Sequence, residues 1–399
     1  MSDPSPASVH HLPDDLEARI LERVRARAPG STADECIARL ARHAERLTRL
    51  FTTERPEEFP DYARDEDARL AYAVLFAPQT WARIRFPLAE AIDLRGFAVP
   101  RDRPCRVLDL GAGVATAGLS AAQMLVHRAG APAVELVSVD RSTAALTAAR
   151  AWRTPPLASL ARVHVDERAL DLTTPLHPEI RRDAPYDLIL ASFSFNEAFA
   201  SRPDAEATRW LRELATLLVP AGRIVLVEPA LRDVAARLRR VAAPAIDDCT
   251  LHVHGPDLHG RLAPPPTDER FADHEVRRWT PPWSLERLNA RLRLSLRELT
   301  FTDLTLGLTA PAPIDPAAFR LTSPVARVKG RWVFTGLDAS GGRHEYELLD
   351  RGIDDAAAAA LRDLERGDVL VAEGARDLGQ PVKRRIPEPA ALVPSWRPT

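Results

Sequence analysis

Lysine is all but missing from this 399-residue chain: Lys329 and Lys383 are its only two, so 52 of the 54 basic residues are arginine. With alanine abundant and 35 prolines present, this reads mainly as the imprint of a GC-rich genome, arginine standing where lysine would serve equally well at the surface. Cysteine is scarce too. Cys36, Cys105 and Cys249 are far apart and odd in number, which argues against a disulfide scaffold and for a reducing compartment. No run of about 18 apolar residues occurs, and the N-terminal MSDPSPASVHHLPDDLEARI has no apolar core, so neither a membrane span nor a secretory signal is expected. The expected location is the cytoplasm, with no membrane partner. Charge of one sign is also lacking: 54 basic against 56 acidic residues leave a net charge of −2, so any nucleic-acid contact must come from a local patch.

What is present is an ordinary globular composition, 45% hydrophobic and 28% charged, long enough for a main domain of about 200 residues with additions at each end. Residues 1–13 are polar and aperiodic and are expected as a loose tail. From 14 to 98 the apolar residues fall at helical spacing: Leu16, Ile20 and Val24, then, after Pro29-Gly30 and the cap-like Ser31, Ile37, Leu40, Leu47 and Leu50. One further helix is expected over 68–91, carrying Tyr72, Trp81, Arg83, Arg85 and Pro87.

Between 99 and 310 short apolar runs alternate with helical stretches. Arg106–Leu110, Val134–Val139, Arg162–Val165, Tyr186–Ala191 and Arg223–Val227 read as buried strands. Helices between them, over 117–127, 142–152 and 204–218, imply parallel strands and a doubly wound α/β sheet. An arginine-bearing helix over 232–241 follows, then a Pro- and His-rich loop over 242–282, a helix over 284–294, and a late strand over 299–308. Residues 320–385 look like a small β-rich module and 386–399 like a closing tail.

The segment that carries chemistry is VLDLGAGVATAGLSAAQML, starting at Val107. A strand ends in Asp109, Gly111 and Gly113 make a turn, and a helix follows. Glycine is needed there because a Cβ would block a ligand from the backbone, and the helix start offers free N–H groups. A dinucleotide fingerprint would want glycine at 116, where Thr116 stands. Asp109 has two open readings: it holds a ligand, or it merely caps the glycine turn. Phe193 and Phe195 are equally readable as core or as a stacking surface, and Cys105, opening a buried strand, as a small hydrophobe.

The Asp-x-Gly-x-Gly pattern resembles motif I of the class I S-adenosylmethionine-dependent methyltransferases, a Rossmann-like fold, and later landmarks fall in that family's order. The resemblance implies that Asp109, Gly111 and Gly113 cradle S-adenosylmethionine and that Asp140, ending the second strand, accepts the ribose hydroxyls. It further implies that Asp171 reads the adenine amino group with Leu172 against the ring. In Ala191-Ser192-Phe193-Ser194-Phe195-Asn196-Glu197, Ser192 belongs to the cofactor site, while Asn196 and Glu197 face the methyl acceptor as the catalytic pair. LVPAGRIVLVEP, ending at Pro229, matches the family's fifth-strand segment.

The acceptor is narrowed by what the loop lacks. It has neither the Asn/Asp-Pro-Pro-aromatic motif of amine-directed nucleic-acid enzymes nor the cysteine that C5-pyrimidine chemistry needs. The flanks, from about Glu66 to Val369, resemble the small-subunit rRNA methyltransferase-like family of bacteria and mitochondria. That resemblance implies small-subunit rRNA, or the subunit during assembly, as partner. Many members hold an iron–sulfur cluster on four cysteines. Here only Cys249 matches, Trp279-Thr280 and Leu337-Asp338 standing where others would fall, and one cysteine cannot hold a cluster. Cys249, His252, His254, His259 and His274 could in principle ligate zinc, but their spacing fits no finger and no metal site is expected. Candidate phosphate contacts are Arg232, Arg237, Arg239 and Arg240, and the i,i+4 pairs Arg287 with Arg291 and Arg293 with Arg297. Two alternatives stand beside an rRNA methyltransferase: a catalytically silent cofactor-binding assembly factor, and a small-molecule methyltransferase of secondary metabolism.

Overall fold

Four helices precede the first strand in the computed structural model, which describes residues 11–56, 59–263, 274–379 and 383–398. They are α1 (Asp14–Ala26), α2 (Ala33–Arg49), α3 (Glu66–Leu75) and α4 (Ala77–Asp93). The expected apolar stripes face inward: Leu16, Ile20 and Val24 of α1 and Ile37, Leu40 and Leu47 of α2 are buried. The cap of α2 is Thr32 rather than Ser31. Its hydroxyl accepts the Glu35 N–H while the Glu35 carboxylate accepts the Thr32 N–H at 2.7 Å, a reciprocal capping box. The helix expected over 68–91 is two. Pro78 near the start of α4 has no N–H for the Val74 carbonyl, so the chain ends one helix and begins the next.

The sheet domain follows as β1 (Cys105–Leu110), α5 (Thr116–His127), β2 (Val134–Asp140), α6 (Thr143–Trp152), β3 (Val163–Ala169), α7 (Pro178–Arg181), β4 (Tyr186–Ser192), α8 (Phe195–Ala198), α9 (Asp204–Ala215) and β5 (Leu218–Glu228). Then come α10 (Arg232–Asp247), β6 (His252–Gly255), β7 (Glu275–Arg278), α11 (Trp283–Leu292) and β8 (Glu298–Gly307). The strands lie in the order β3-β2-β1-β4-β5-β8-β6, with β7 also on β8. The first four pairings are parallel, and β8 runs antiparallel to both β5 and β6. The stretch 242–282 is therefore not simply a loop. Val241, Ala242 and Ala245 are buried, which carries α10 on to Asp247, and β6 and β7 find places beside β8. Winding reverses between β1 and β4, and it is at the carboxyl ends of the strands at such a reversal that open α/β sheets take their ligands.

The last module holds β9 (Ala318–Leu321), β10 (Ala326–Val328), β11 (Arg331–Asp338), β12 (Arg343–Leu349), α12 (Asp355–Asp363), β13 (Val369–Ala372), β14 (Arg376–Asp377), β15 (Lys383–Ile386) and β16 (Leu392–Trp396). Phe319, Phe334 and Tyr346 stack at its core, with Phe319 and Tyr346 ring centroids 4.2 Å apart. The segment expected as a closing tail supplies β16, which pairs with β13, and Trp396 is buried. A buried ionic seam joins module to sheet. Arg320 bonds Glu90 and lies 3.3 Å from Glu275, Arg277 reaches Glu275 at 3.1 Å and Asp368 at 2.6 Å, and Arg397 reaches Asp368 at 3.0 Å. Among the described residues no helix is long and apolar enough to cross a membrane.

Candidate cofactor and acceptor crevice

The turn after β1 is built as its glycines suggest. Gly111 has φ +74°, and a Cβ there would fall 2.2 Å from Ser194 Cβ and 3.0 Å from Leu172 Cδ2. Gly113 has φ +54° and faces open space, with no atom within 4 Å of a would-be Cβ. Its N–H donates to Asp140 Oδ2 at 2.7 Å, while Asp140 Oδ1 accepts the Ser142 N–H at 2.7 Å. Each carboxylate oxygen thus keeps lone-pair capacity for a further donor. Burial raises the Asp140 carboxyl, opposed by those two N–H groups.

Asp109 points elsewhere. It is 1% exposed, and its Oδ2 accepts the Gly118 N–H of α5 at 2.8 Å. The carboxylate thereby fixes the start of the helix, and burial lifts it to about 7. Among the described residues its Oδ1 has no partner. Asp171 lies at the exposed rim, where its Oδ1 accepts from the Thr173 N–H at 2.8 Å and from the Thr173 hydroxyl at 2.7 Å. Leu172 beside it turns inward against Gly111.

The loop after β4 is held under tension. Phe193 has φ +57°, a left-handed conformation that a side chain rarely adopts. Ser194 Oγ donates to the Leu110 carbonyl at 2.7 Å, tying this loop to β1, whereas among the described residues buried Ser192 Oγ has no partner. Asn196 and Glu197 lie in the short turn α8, whose N–H groups converge on Glu228 at the end of β5. The Phe195 N–H reaches Glu228 Oε1 at 2.9 Å. Glu228 is fully buried and raised to about 8 by burial, opposed by those N–H groups. Glu197 is raised to about 8 by burial and then by the Asp140 charge.

The far wall comes from the N-terminal helices. Asp61 accepts the Ser142 hydroxyl at 2.7 Å and the Phe59 carbonyl accepts from Arg141, so residues 59–61 lie directly beside Asp140. Behind them Tyr62 and Tyr72 stack with centroids 5.6 Å apart, and Phe51 packs edge-on to Tyr62 and Phe76. Burial drives both tyrosines well above the ordinary phenol range, and the Glu197 and Asp140 charges add to it. Arg83 of α4 lies 5.0 Å from the centroid of Phe193. Tyr62, Tyr72, Arg83 and Glu197 are deep enough for burial to dominate their titration, yet each keeps accessible surface.

The structure thus brings Gly111, Gly113, Asp140, Leu172 and Glu197 to one place, with Ser192 beneath them at the end of β4, and leaves Asp171 at the rim and Asp109 behind the turn. Sequence reasoning gave no role to Glu228, although an acid ending the VLVEP strand was the available signal. Tyr72 and Arg83 stood in a noted stretch without an assigned part, and nothing local pointed to Tyr62. Among the described residues no group of three His, Cys, Asp or Glu side chains could hold a metal. His254 is buried against the Thr309 carbonyl at 2.8 Å, and Cys249 is exposed.

The expected arginine track on α10 is engaged. Arg237 and Arg240 both bind Asp204, at 2.9 and 2.6 Å, Arg239 binds buried Asp257 at 2.7 Å, and Arg232 has an interaction of its own. The helix bearing Arg287 and Arg291 ends at Leu292, where Arg293 turns left-handed, so Arg293 and Arg297 share no helix face.

Strand order, the reversed β8 and the glycine turn at the switch point define a class I methyltransferase fold. No protein-family model matches the chain, and no curated protein matches it. Among solved structures it is similar to an S-adenosylmethionine-dependent methyltransferase from Agrobacterium tumefaciens (21% identity, 41% of this chain and 50% of that one, TM-score 0.28). It is similar to a Listeria monocytogenes protein described as a class I methyltransferase (11% identity, 76% and 91%, TM-score 0.39) and to TrmN from Thermus thermophilus (19% identity, 59% and 49%, TM-score 0.31). The chain therefore spans about half the length of the first and last of these.

Proposed function

We propose that this chain is an S-adenosylmethionine-dependent methyltransferase. The observation that carries the reading is the Gly111–Gly113 turn, open at Gly113 and bound through its N–H to Asp140, at the reversal between β1 and β4. The residues present fit the cofactor: an open glycine cradle, a strand-end carboxylate with free lone pairs, and the unpartnered hydroxyl of Ser192. Gly111, Gly113 and Ser192 would line its site, Asp140 would take the ribose hydroxyls, and Leu172 and Asp171 would meet the base. Bound there, S-adenosylmethionine supplies a methyl group on a sulfonium, ready for in-line transfer to a lone pair.

The chain's own part is positioning, water exclusion and proton handling. Glu228 fixes α8 through its N–H groups, and α8 presents Asn196 and Glu197 to the acceptor. With its carboxyl at about 8, Glu197 is largely protonated at neutral pH, and its ionised fraction, a stronger base than an ordinary carboxylate, takes the proton an acceptor releases as it is methylated. The aromatic wall of Phe51, Tyr62, Tyr72 and Phe76 keeps water from that exchange. Asp109 serves by holding the start of α5.

The finer proposal, small-subunit rRNA as acceptor or docking partner, rests on the resemblance of the flanks. The pairing of Arg237, Arg239 and Arg240 with carboxylates favours a second reading, a small-molecule acceptor taken into the crevice.

Calorimetry tests the shared premise. Asp140→Ala is expected to weaken S-adenosylmethionine binding on the order of tenfold to a hundredfold, since it removes a charged hydrogen-bond acceptor. Equal binding by the variant would overturn the site. Labelled methyl transfer to immature small subunits, set against a panel of small acceptors, separates the two readings. Co-sedimentation with small subunits without transfer of the labelled methyl group identifies a silent assembly factor.

A further inference from the structure

Three deep guanidinium groups around the sheet have no carboxylate partner among the described residues: Arg85, Arg223 and Arg83. Two give two or more hydrogen bonds to the fold, although among the described residues the Nε of each, like that of Arg83, is buried without a partner. Arg223 is 4% exposed and gives its donors to the carbonyls of Ala221, Gly222 and Arg95. Arg85 is 6% exposed and braces α5 through Gln123 Oε1 at 3.0 Å and the Ser120 carbonyl. Arg83 differs. One Nη2 hydrogen bond to Gln79 Oε1 at 2.9 Å is its only hydrogen bond among the described residues, and its buried Nε has none. The residue keeps some accessible surface, and its guanidinium lies 5.0 Å from the centroid of the Phe193 ring.

An uncompensated charge at such depth costs several kcal/mol unless something pairs with it. Burial lowers Arg83 only to about 10, so it stays charged at neutral pH. The acids that act on the neighbouring tyrosines, Glu197 and Asp140, form no ion pair with it. Phe193, whose ring underlies the guanidinium, is the residue held left-handed at the end of β4, so strained backbone and unpaired charge meet at one point. A planar, charged fork resting on a ring, with no hydrogen bond at Nη1 and one at Nη2 among the described residues, has donors left for a carboxylate approaching its Nη end.

We propose that Arg83 is a carboxylate-binding residue, taking the carboxylate either of the cofactor's amino-acid end or of the acceptor. The first source rests on the methyltransferase reading; the second does not. Calorimetry with S-adenosylmethionine, with 5′-methylthioadenosine, which lacks the amino-acid end, and with 4-hydroxybenzoate as an aromatic carboxylate distinguishes them. Should the cofactor be the source, Arg83→Met weakens S-adenosylmethionine binding on the order of tenfold to a hundredfold and leaves 5′-methylthioadenosine unchanged. Should the acceptor be the source, S-adenosylmethionine binds the variant as it binds the wild type and 4-hydroxybenzoate binding is lost. In both cases the ligand-free variant melts no lower than wild type, because a charge without a partner has been removed, and Arg83→Lys restores binding only in part. Unchanged binding of all three ligands overturns the proposal, as does an equal loss of all three with a lowered Tm, the mark of a purely structural arginine. A wild-type protein that binds neither adenosyl compound refutes the methyltransferase reading instead, and the 4-hydroxybenzoate arm then decides the carboxylate site by itself.

Discussion

At the seam with the C-terminal module Arg320, Arg277, Glu90, Glu275 and Asp368 are all buried, and each charge has an opposite charge in contact. Beneath the N-terminal helices the charges are largely unanswered: among the described residues Arg83 has no acid, and Glu197 and Glu228 are pushed toward the neutral form by burial. The same α4 serves both places, giving Glu90 to the seam and Arg83 to the crevice. Buried charge that is closed on itself ties two bodies together. Buried charge left open is capacity for something that arrives later, and it is maintained at a cost in stability.

That contrast can be broken most forcefully at the seam. Arg320→Met should strip Glu90 and Glu275 of their shared counter-charge and cost about 3–5 kcal/mol in urea unfolding. A loss under about 1 kcal/mol would show that the seam is not closed as described.

The next effect is at Glu228. Its folded value, about 8, lies above the ordinary 4.5, so the folded protein holds this proton more tightly than the unfolded chain. The stability it contributes is present below pH 4.5 and is lost as pH rises to about 8, at up to about 1.4 kcal/mol per pH unit. Glu197 and Asp109 share that sign. Glu228→Gln mimics the protonated form, and its stability measured across that window should fall less steeply than the wild type's. An unchanged slope would mean that Glu228 ionises freely.

The smallest effect is on the surface. Asp204→Ala, which frees Arg237 and Arg240, should cost no more than about 1 kcal/mol, and a larger loss of Tm would show that these exposed pairs act like the seam.

Much of the fold was legible because periodicity is a local property. The five parallel strands and the helices between them announce themselves as runs of Val, Ile and Leu alternating with helical spacing, and the glycine turn carries its own reason for being glycine. What escaped was settled by distance in sequence. Nothing near 252–255 or 275–278 says that these residues pair with β8, and nothing near Leu392 says that it will lie beside β13. In the site, Gly111, Gly113 and Asp140 were readable from strand ends. Asp109 kept two readings because only the packed helix shows that its carboxylate faces Gly118. Tyr62 and Arg83 acquire meaning only when the N-terminal helices fold across the sheet.

The reversed strand β8 carries a consequence in time. Its partner β5 ends at Glu228, about seventy residues before the Thr302 it pairs with, and β6 and β7 both pair with β8. Contacts of such long range are slow to form. Until β8 arrives, β5 presents a bare edge, and β6 and β7 have no neighbour to join. Glu228, the residue that fixes α8 and with it the acceptor side of the crevice, sits on the last rung of that edge. Assembly of the crevice therefore belongs to a late stage of folding, after the parallel half of the sheet is already in place.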